Sequence, residues 1–505
     1  MGEQSQEYTI DVVFPSAFGV FQSPVHLAYA AWLGGRRSFD VRAPFAYADL
    51  GCGGGVTLCI LAACYPHGEF HGVDINPEHI AQGRALAADA GLGNVTFHHL
   101  SFADLPAAPL PARLDAIAIS GIYSWLSPSL RRACLDFANA RLSDAGVVFL
   151  HYSALPGNAQ IDALYALLIE LSEGIEGDTV SRFRGACEKA AMLRAASGLF
   201  FRQNPLAAAW LDQIARTDQR QMAHEVLNSH WGSLSIRNVA EEAAAAGLQF
   251  VANAHLELND IELAAPSGAR EVLSGLTPVA REMALDAMRS AIARIDVFMR
   301  ESDDHTGSAA PPDLWVDRLT RGPLKVERAQ LAQRAGVDLS GPIYDDILGA
   351  IDDRAQRLSD LLATPDARDA EARELALKRI IALKLAHLQL EPFPRKAPEH
   401  PPRLASPIND LLLTERIEVA GALPLASPVA GTQVLLPPED RLALLALVNG
   451  DFEQAWARIE RAGQSVRLGE RQVRDARALA EIANARAEAL RGPIVERLFR
   501  LGILA

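Results

Sequence analysis

The segment Asp49-Leu50-Gly51-Cys52-Gly53-Gly54-Gly55 constrains the fold more than any other part of the chain. It follows a short apolar run, FAYADL at residues 45–50, and it precedes VTLCILAACY at residues 56–65, where apolar residues have helical spacing. A strand, a glycine-rich turn and a helix in this order let the backbone approach a ligand closely, beside free N–H groups at the helix N-terminus. The segment therefore predicts a ligand-binding loop in an α/β domain.

Short apolar runs and helical patterns continue to alternate after this loop. Further strands are predicted at residues 69–75, 94–100, 114–120 and 146–152, and a second helix at residues 77–92. Such alternation is typical of a parallel sheet with helices on both faces. The predicted fold is α/β: a Rossmann-like, doubly wound, mostly parallel sheet, followed by mainly α-helical accessory domains.

Two acidic residues indicate which ligand the loop binds. Asp74 ends the predicted second strand, at the usual distance for a carboxylate that accepts hydrogen bonds from ribose hydroxyls. A dinucleotide fingerprint would place a third glycine at position 56, which is Val56. Asp49 lies two residues before the first glycine, where its charge suits a ligand with an ammonium and a sulfonium and repels a pyrophosphate. The loop favours a methyl donor over NAD, and a glycine turn without ligand is the third interpretation.

Several motifs of the first half of the chain form a set around this loop. They are FQSPVHL (21–27), DLGCGGG (49–55), GVDINPEHI (72–80), SGIYSWL (120–126), HYSALPG (151–157) and MAHEVLN (222–228). Together they resemble class I S-adenosylmethionine-dependent methyltransferases with a methyltransferase regulatory domain, a group that includes lysine methyltransferases of rickettsial outer-membrane proteins. SPVAGTQVLL (427–436) and RLGIL (500–504) extend the resemblance weakly. His151, Ser153 and Asn158 depart from the family pattern, so the acceptor pocket is the part that is expected to differ.

The resemblance implies that the cofactor is S-adenosylmethionine and that the chain is an enzyme. The residues expected to hold the cofactor are Asp49, Gly51, Cys52, Gly53, Gly55, Asp74, Ile75, Ser101, Phe102 and Ser120. Ser101 and Phe102 occupy the place where the family holds adenine. The bond to the adenine amino group then comes from Ser101, a backbone carbonyl or Asp104, and Phe102 either stacks on the ring or packs in the core.

Candidate catalytic residues follow the fourth and fifth predicted strands, where α/β sheets bind their ligands. They are Tyr123, Trp125, His151 and Tyr152. Aromatic faces can hold an ammonium, and tyrosine hydroxyls can accept hydrogen bonds from an amine, whereas a histidine can act as general base for an oxygen nucleophile. Simple core packing is the alternative for each. No metal site is predicted, because an HExxH motif at His224 would need a second histidine where Asn228 stands.

Composition shifts predict four units. They are the cofactor-binding domain (1–170), a helical regulatory domain (171–310), a helical domain for which a winged-helix shape is one alternative (311–395), and a helical C-terminal domain (396–505). Residues 283–300 and 369–388 have helical spacing. Residues 391–407 contain six prolines and predict an extended linker.

Charge and cysteine content limit the partners and the location. The net charge of −14 argues against nucleic acid as the main partner, because phosphate binding requires a basic face. No signal peptide, no membrane-spanning run and no disulfide framework are recognisable among the 505 residues, which predicts a cytoplasmic protein without membrane insertion. The acceptor is predicted to be a protein lysine or a small molecule methylated on N or O. A non-catalytic scaffold is the alternative of another class, and the oligomeric state stays open, with a homodimer as one candidate.

Overall fold

The computed structural model describes residues 18–228, 230–301, 309–318, 325–352, 354–364, 367–392, 402–415, 422–449, 457, 466–468, 471–473 and 493–505. Its centre is a seven-stranded sheet with the order β3-β2-β1-β4-β5-β7-β6. The strands are β1 (Phe45–Leu50), β2 (Gly68–Asp74), β3 (Val95–His99), β4 (Leu114–Ser120), β5 (Leu142–Ser153), β6 (Leu248–Asn253) and β7 (Ala293–Arg300). Strands β1 to β5 are parallel, and β7 runs antiparallel to both β5 and β6. The predicted doubly wound, mostly parallel α/β fold is confirmed.

Helices cover both faces of this sheet. In chain order they are α1 (Pro24–Leu33), α2 (Val56–Cys64), α3 (Pro77–Asp89), α4 (Pro128–Arg141), α5 (Ala159–Ser172), α6 (Thr179–Ala195), α7 (Leu199–Gln203), α8 (Pro205–Ile214), α9 (Gln219–Val226), α10 (Ile236–Ala245), α11 (Ile261–Ala264), α12 (Ser267–Ser274) and α13 (Pro278–Arg289). The first three pack in one apolar core on one face, and α4 and α10 pack in a second core on the other face. Asn76 and Ser127 cap α3 and α4, each directly before a proline at the first helical position, so both helices begin where their sequences predict.

Strands β6 and β7 lie within residues 171–310, which were predicted to form a helical domain. Residues 283–300 had helical spacing, yet α13 ends at Arg289 and residues 293–300 form β7. The helical interpretation failed because Arg294 and Asp296 look like a polar helix face, whereas both side chains are buried and paired with each other. The helices α5 to α9 form a separate small core beside the end of β5, and the domain boundaries themselves remain predictions.

The region after residue 310 combines helices with small sheets. Strands β8 (Trp315–Asp317), β9 (Gln356–Arg357) and β10 (His387–Gln389) form an antiparallel sheet in the order β10-β8-β9, next to helices α14 (Lys325–Ala335), α15 (Pro342–Ala350), α16 (Leu358–Leu362) and α17 (Ala367–Ala382). The helix predicted over residues 369–388 therefore ends six residues early, since residues 387–389 pair as β10. Helices with a small sheet are compatible with the winged-helix prediction, which stays a prediction.

The C-terminal region was predicted to be helical, and the structure corrects this. It contains the hairpins β11 (Leu423–Ser427) with β12 (Thr432–Leu436) and β13 (Val466–Leu468) with β14 (Arg471–Val473), together with α18 (Pro407–Glu415), α19 (Pro438–Asn449) and α20 (Pro493–Arg500). Of the predicted proline-rich linker, residues 393–401 lie outside the described residues.

The C-terminal region packs against α2, the helix that follows the glycine-rich loop. Residues of β11, α18, α19 and α20 share one apolar core with α2. The Tyr65 hydroxyl, just after α2, donates a hydrogen bond to the Gly431 carbonyl (2.7 Å) and accepts one from the Val25 backbone N–H (3.2 Å). One buried hydroxyl thus joins α1, α2 and the β11–β12 turn, and it holds the helix that carries the loop.

Candidate functional site

A cavity of about 320 Å³ lies at the carboxyl ends of β1, β2, β4 and β5. Its wall consists of Phe18, Gly19, Gln22, Asp49, Gly51, Cys52, Gly53, Gly54, Gly55, Val56, Thr57, Asp74, His79, Ser120, Gly121, Ile122, Trp125, His151 and His224. This is the position at which open parallel sheets bind ligands. Nine residues predicted from the sequence to act in the site are in this wall: Asp49, Gly51, Cys52, Gly53, Gly55, Asp74, Ser120, Trp125 and His151.

Three glycines of the loop are required, for two different reasons. All have positive φ angles, which favour glycine: 84° at Gly51, 54° at Gly53 and 73° at Gly55. A Cβ atom at Gly51 would lie 2.7 Å from Cδ1 of Ile122, and one at Gly55 would lie 2.4 Å from the ring of Phe97. A Cβ at Gly53 would meet no atom within 4 Å. Gly53 therefore keeps space free in the cavity, whereas the other two permit close packing.

Asp74 is fixed at the bottom of the loop by three donors. Its carboxylate accepts hydrogen bonds from the backbone N–H of Gly53 (2.9 Å) and of Asn76 (2.8 Å), and it lies 3.2 Å from Nδ1 of His79. The side chain is buried, and these contacts hold the carboxylate at the end of β2, in the cavity wall. A carboxylate held in this way can accept further bonds from a diol without rearranging.

Asp49 and Gln22 bring buried acceptor atoms to the same cavity. Oδ1 of Asp49 and Oε1 of Gln22 have no hydrogen-bond partner among the described residues, and both side chains are buried. Burial, and then the nearby charge of Asp74, raise the pKa of Asp49 from 3.8 to about 7. Unpartnered buried acceptors are costly, and a cationic donor would satisfy both of them. The residues present therefore fit the ammonium end of S-adenosylmethionine.

The opposite side of the cavity is formed by Ser120, Trp125, His151 and His224. Trp125 and His224 are in edge-to-face contact, with ring centroids 5.4 Å apart. Burial, and then the neighbouring His255, lower the pKa of His151, so its imidazole is neutral at pH 7 and can accept a proton. This side combines aromatic faces with one neutral base.

Tyr123 and Tyr152, two of the candidate catalytic residues, are not among the residues that line the cavity. The Tyr123 hydroxyl donates to Oε2 of Glu242 (2.6 Å), and the Tyr152 hydroxyl donates to Oδ2 of Asp296 (2.7 Å). Both tyrosines are buried in the core on the face of α4 and α10. His151 and Tyr152 are successive residues of β5 and point to opposite sides of the sheet, so His151 faces the cavity and Tyr152 faces the core. The predicted catalytic part of the two tyrosines remains a prediction.

Ile75, Ser101 and Phe102 lie beside the cavity but not in its wall. The Ile75 carbonyl is 2.9 Å from Nε2 of His99. The Ser101 hydroxyl accepts a hydrogen bond from the backbone N–H of Ala103 (3.2 Å), and Phe102 is buried in the core. Their predicted part in holding the adenine remains a prediction.

Sequence reasoning missed several residues of the wall, among them Phe18, Gln22, Thr57 and His79. The backbone N–H of Gly19 donates to Oγ1 of Thr57 (3.1 Å), which places the segment before α1 over the start of α2. The FQSPVHL motif was the available signal for Gln22. The GVDINPEHI motif was the available signal for His79.

Two family models match the chain where these features lie. A methyltransferase domain matches residues 45–140, and a predicted methyltransferase regulatory domain matches residues 218–300. The chain is a methyltransferase of class I fold with a regulatory domain. Its cofactor is S-adenosylmethionine, in agreement with the charge and shape of the cavity.

Relatives of this methyltransferase occur in bacteria. An uncharacterized protein of Synechocystis is 28% identical over 88% of both chains, and one of Rickettsia prowazekii is 36% identical over 22% of this chain and 43% of its own. Among solved structures, PKMT2 from Rickettsia typhi in complex with AdoHcy has a TM-score of 0.65 at 17% identity, and the match covers 97% of this chain and 99% of that one. The fold therefore extends over both halves of the methyltransferase.

None of the helices in the described part of the chain has the length and hydropathy needed to cross a bilayer. Among the same residues, no cluster of three or more His, Cys, Asp or Glu side chains has the arrangement of a metal site.

Proposed function

We propose that this methyltransferase transfers the methyl group of S-adenosylmethionine to the side-chain amine of protein lysines. The observation that carries the proposal is the composition of the cavity. On one side lie the unpartnered acceptor atoms of Asp49 and Gln22, and on the other an aromatic face with the neutral His151, completed by His224 from the regulatory region. The structure named PKMT2, which has the same fold, and the resemblance of the motifs to lysine methyltransferases support the same acceptor.

The residues of the cofactor side have separate tasks. S-adenosylmethionine, when bound, supplies a methyl carbon already activated by its sulfonium. Gly53 leaves room for the ligand, Asp74 offers its fixed carboxylate to a ribose, and Asp49 with Gln22 offers acceptors to an ammonium. Alignment of the two reactants then supplies most of the rate enhancement, because an in-line displacement needs a positioned and uncharged nucleophile.

The acceptor side suits an amine that reaches the cavity as an ammonium. The face of Trp125 attracts a cation, and burial between Trp125 and His224 lowers the pKa of an amine and frees its lone pair. Because deprotonation can precede methyl transfer, this acceptor does not require a general base. A cytoplasmic location is part of the proposal, since all five cysteines are described and free, as in reducing compartments.

A small-molecule hydroxyl acceptor is the second candidate, and His151 is the observation that favours it. Its imidazole lies in the cavity wall with a lowered pKa, as a general base for a hydroxyl would. In this case the proton must leave during the reaction, so the histidine becomes essential.

The decisive experiment transfers labelled methyl from S-adenosylmethionine into a lysate of the source cell, which is then separated into protein and small-molecule fractions. We expect label in protein, and N-methyllysine in its hydrolysate. Label confined to small molecules would contradict the lysine proposal.

His151→Gln separates the two candidates once an acceptor is known. For an amine acceptor we expect turnover to change less than threefold, whereas a hydroxyl acceptor predicts a loss of about 100-fold or more. His67→Gln is the matched control, because the ring of His67 is hydrogen-bonded to the Val41 carbonyl outside the cavity.

A further inference from the structure

Three aromatic side chains form a continuous surface that begins in the cofactor cavity; we call Trp125, Trp231 and Tyr165 the aromatic wall. The ring centroids of Trp125 and Trp231 are 6.4 Å apart with an interplanar angle of 36°, and those of Trp231 and Tyr165 are 4.9 Å apart with an angle of 54°. Trp125 is part of the cavity lining. The wall therefore leads from the cofactor side into the helical regulatory region.

Backbone hydrogen bonds fix this wall against the sheet. The N–H of Gly232 donates to the Ser124 carbonyl (3.2 Å), and the N–H of Leu234 donates to the Ser153 carbonyl (2.9 Å). The residues after Trp231 are thus attached to the ends of β4 and β5, where the acceptor side of the cavity lies. Trp125 and Trp231 are both only partly buried, so their faces are accessible to a ligand.

Two carboxyl groups hold the edges of the wall. Burial raises the pKa of Glu225, and a cation beside it would favour its charged form. Asp162 lies 3.3 Å from the indole nitrogen of Trp231 and accepts a hydrogen bond from the Ser233 hydroxyl (2.7 Å). Glu225 accepts a hydrogen bond from the Tyr165 hydroxyl (3.2 Å), which itself accepts one from the indole N–H of Trp210 (3.0 Å). The polar groups of Trp231 and Tyr165 are thus engaged by carboxyl groups. Tyr165 is buried behind Trp231, so the partly buried faces of Trp125 and Trp231 are the ones that an apolar or cationic partner can reach.

We infer that the aromatic wall, with Glu225 and Asp162 beside it, binds the cationic head of the acceptor, an alkylammonium group that is either unmethylated or already methylated. This inference rests on the proposed function, and it names the substrate class and the residues that recognise it. Ring faces carry negative electrostatic potential and attract ammonium groups within about 6 Å, and the two carboxylates add attraction of the same sign. An anionic acceptor would be repelled by both carboxylates, and a neutral one would gain nothing from them.

The test uses two ligands of equal shape and different charge. Choline carries a quaternary ammonium, and 3,3-dimethyl-1-butanol is its neutral isostere. Their affinities for the full chain saturated with S-adenosylhomocysteine are measured by ligand-observed NMR titration. We expect choline to bind about tenfold more tightly than the alcohol. Equal affinities would overturn the inference.

Two variants assign the preference to the wall. Glu225→Gln keeps the shape of the side chain and removes its charge, and Trp231→Phe keeps an aromatic ring but removes the indole. Both variants should reduce the preference for choline over the alcohol at least threefold without changing the affinity for S-adenosylhomocysteine. Glu241→Gln, on an exposed side chain of α10, is the control and should leave the preference unchanged. A preference that persists in both wall variants would place the cation elsewhere and contradict the inference.

Failure of the inference and failure of the proposed function give different results. If lysines are methylated but choline and its isostere bind equally, the wall is not the cation site, although the function stands. If no lysine is methylated but the preference for choline is present and depends on Glu225 and Trp231, the wall binds an alkylammonium acceptor of another kind.

Discussion

Asp49→Asn should raise the stability of the ligand-free protein and at the same time weaken cofactor binding. The substitution keeps the shape of the side chain and removes a charge that is buried beside the cofactor cavity. The two effects have opposite signs because the carboxylate is unfavourable without a cation and favourable with one.

The stability term follows from the pKa of Asp49. The ordinary value is 3.8, and burial followed by repulsion from Asp74 raises it to about 7 in the folded chain. The folded state therefore holds the proton up to a higher pH than the unfolded state, so stability is lost as the pH rises from 3.8 to about 7 and stays lost above that. The shift corresponds to roughly 4 kcal/mol. An asparagine avoids this cost, but burial of its NH₂ group without a hydrogen-bond partner costs about 1–3 kcal/mol. We expect a net gain of about 1–3 kcal/mol at pH 8.

The binding term follows from the lost ion pair. A hydrogen bond to a charged group contributes about 1.5–3 kcal/mol, so the dissociation constant for S-adenosylmethionine should rise about 10- to 100-fold at pH 8. In the unsubstituted protein, protonation of Asp49 competes with the cationic ligand. Lowering the pH from 8 to 6 should therefore weaken binding by about tenfold, whereas the variant should lack this dependence.

Isothermal titration calorimetry between pH 6 and pH 8 measures the affinities, and urea unfolding of the ligand-free protein measures the stability. A variant that is less stable and also binds more weakly would indicate plain structural damage. A pH dependence that is equal in both proteins would refute the assignment of the raised pKa to Asp49.

Three further predictions concern the loop and the buried charges. Gly53→Ala should abolish cofactor binding measurable by calorimetry, because the Cβ of the alanine enters the cavity. Gly91→Ala is the control: Gly91 has a similar φ of 66° and lies in open space, so this variant should lose only about 1–2 kcal/mol of stability. Tyr152→Phe should cost about 1–3 kcal/mol of stability in urea unfolding, because the hydrogen bond to Asp296 is lost, while the cofactor affinity stays within twofold. A large loss of cofactor affinity would instead indicate that Tyr152 acts in the site. Arg294→Met should cost at least about 3–5 kcal/mol, measured in the same way, because it leaves buried carboxylates without their cation; a near-neutral effect would contradict the burial of this network.

The cofactor half of the site was predictable because its signals are local in sequence. The loop from Asp49 to Gly55 and the carboxylate of Asp74 lie within one strand–turn–helix–strand unit. Each glycine with positive φ sets the backbone conformation of the turn locally, without help from distant residues. The five parallel strands were predictable for the same reason, since each is a short apolar run between turns.

The acceptor half depends on which side of the sheet each residue faces. Tyr152 and His151 are adjacent in sequence, yet Tyr152 bonds with Asp296 in the core and His151 faces the cavity. From the sequence alone both residues were candidates. A shift of one residue along a strand reverses the direction of the side chain, and pairing with β7 decides which side of the sheet each residue of β5 faces.

By itself, the sequence determined the ligand loop, the charge that selects a methyl donor, and the positions of the strands β1 to β5 along the chain. Only the tertiary structure decided that residues 293–300 are a strand, that Gln22 and His79 complete the cofactor cavity, and that Trp231 continues the surface of Trp125. The physical reason is distance along the chain, because a local pattern sets the backbone conformation but not its distant partners. Residues 293–300 form a strand by pairing with β5, and Trp125 meets Trp231, so in both cases the deciding contact joins segments more than 100 residues apart.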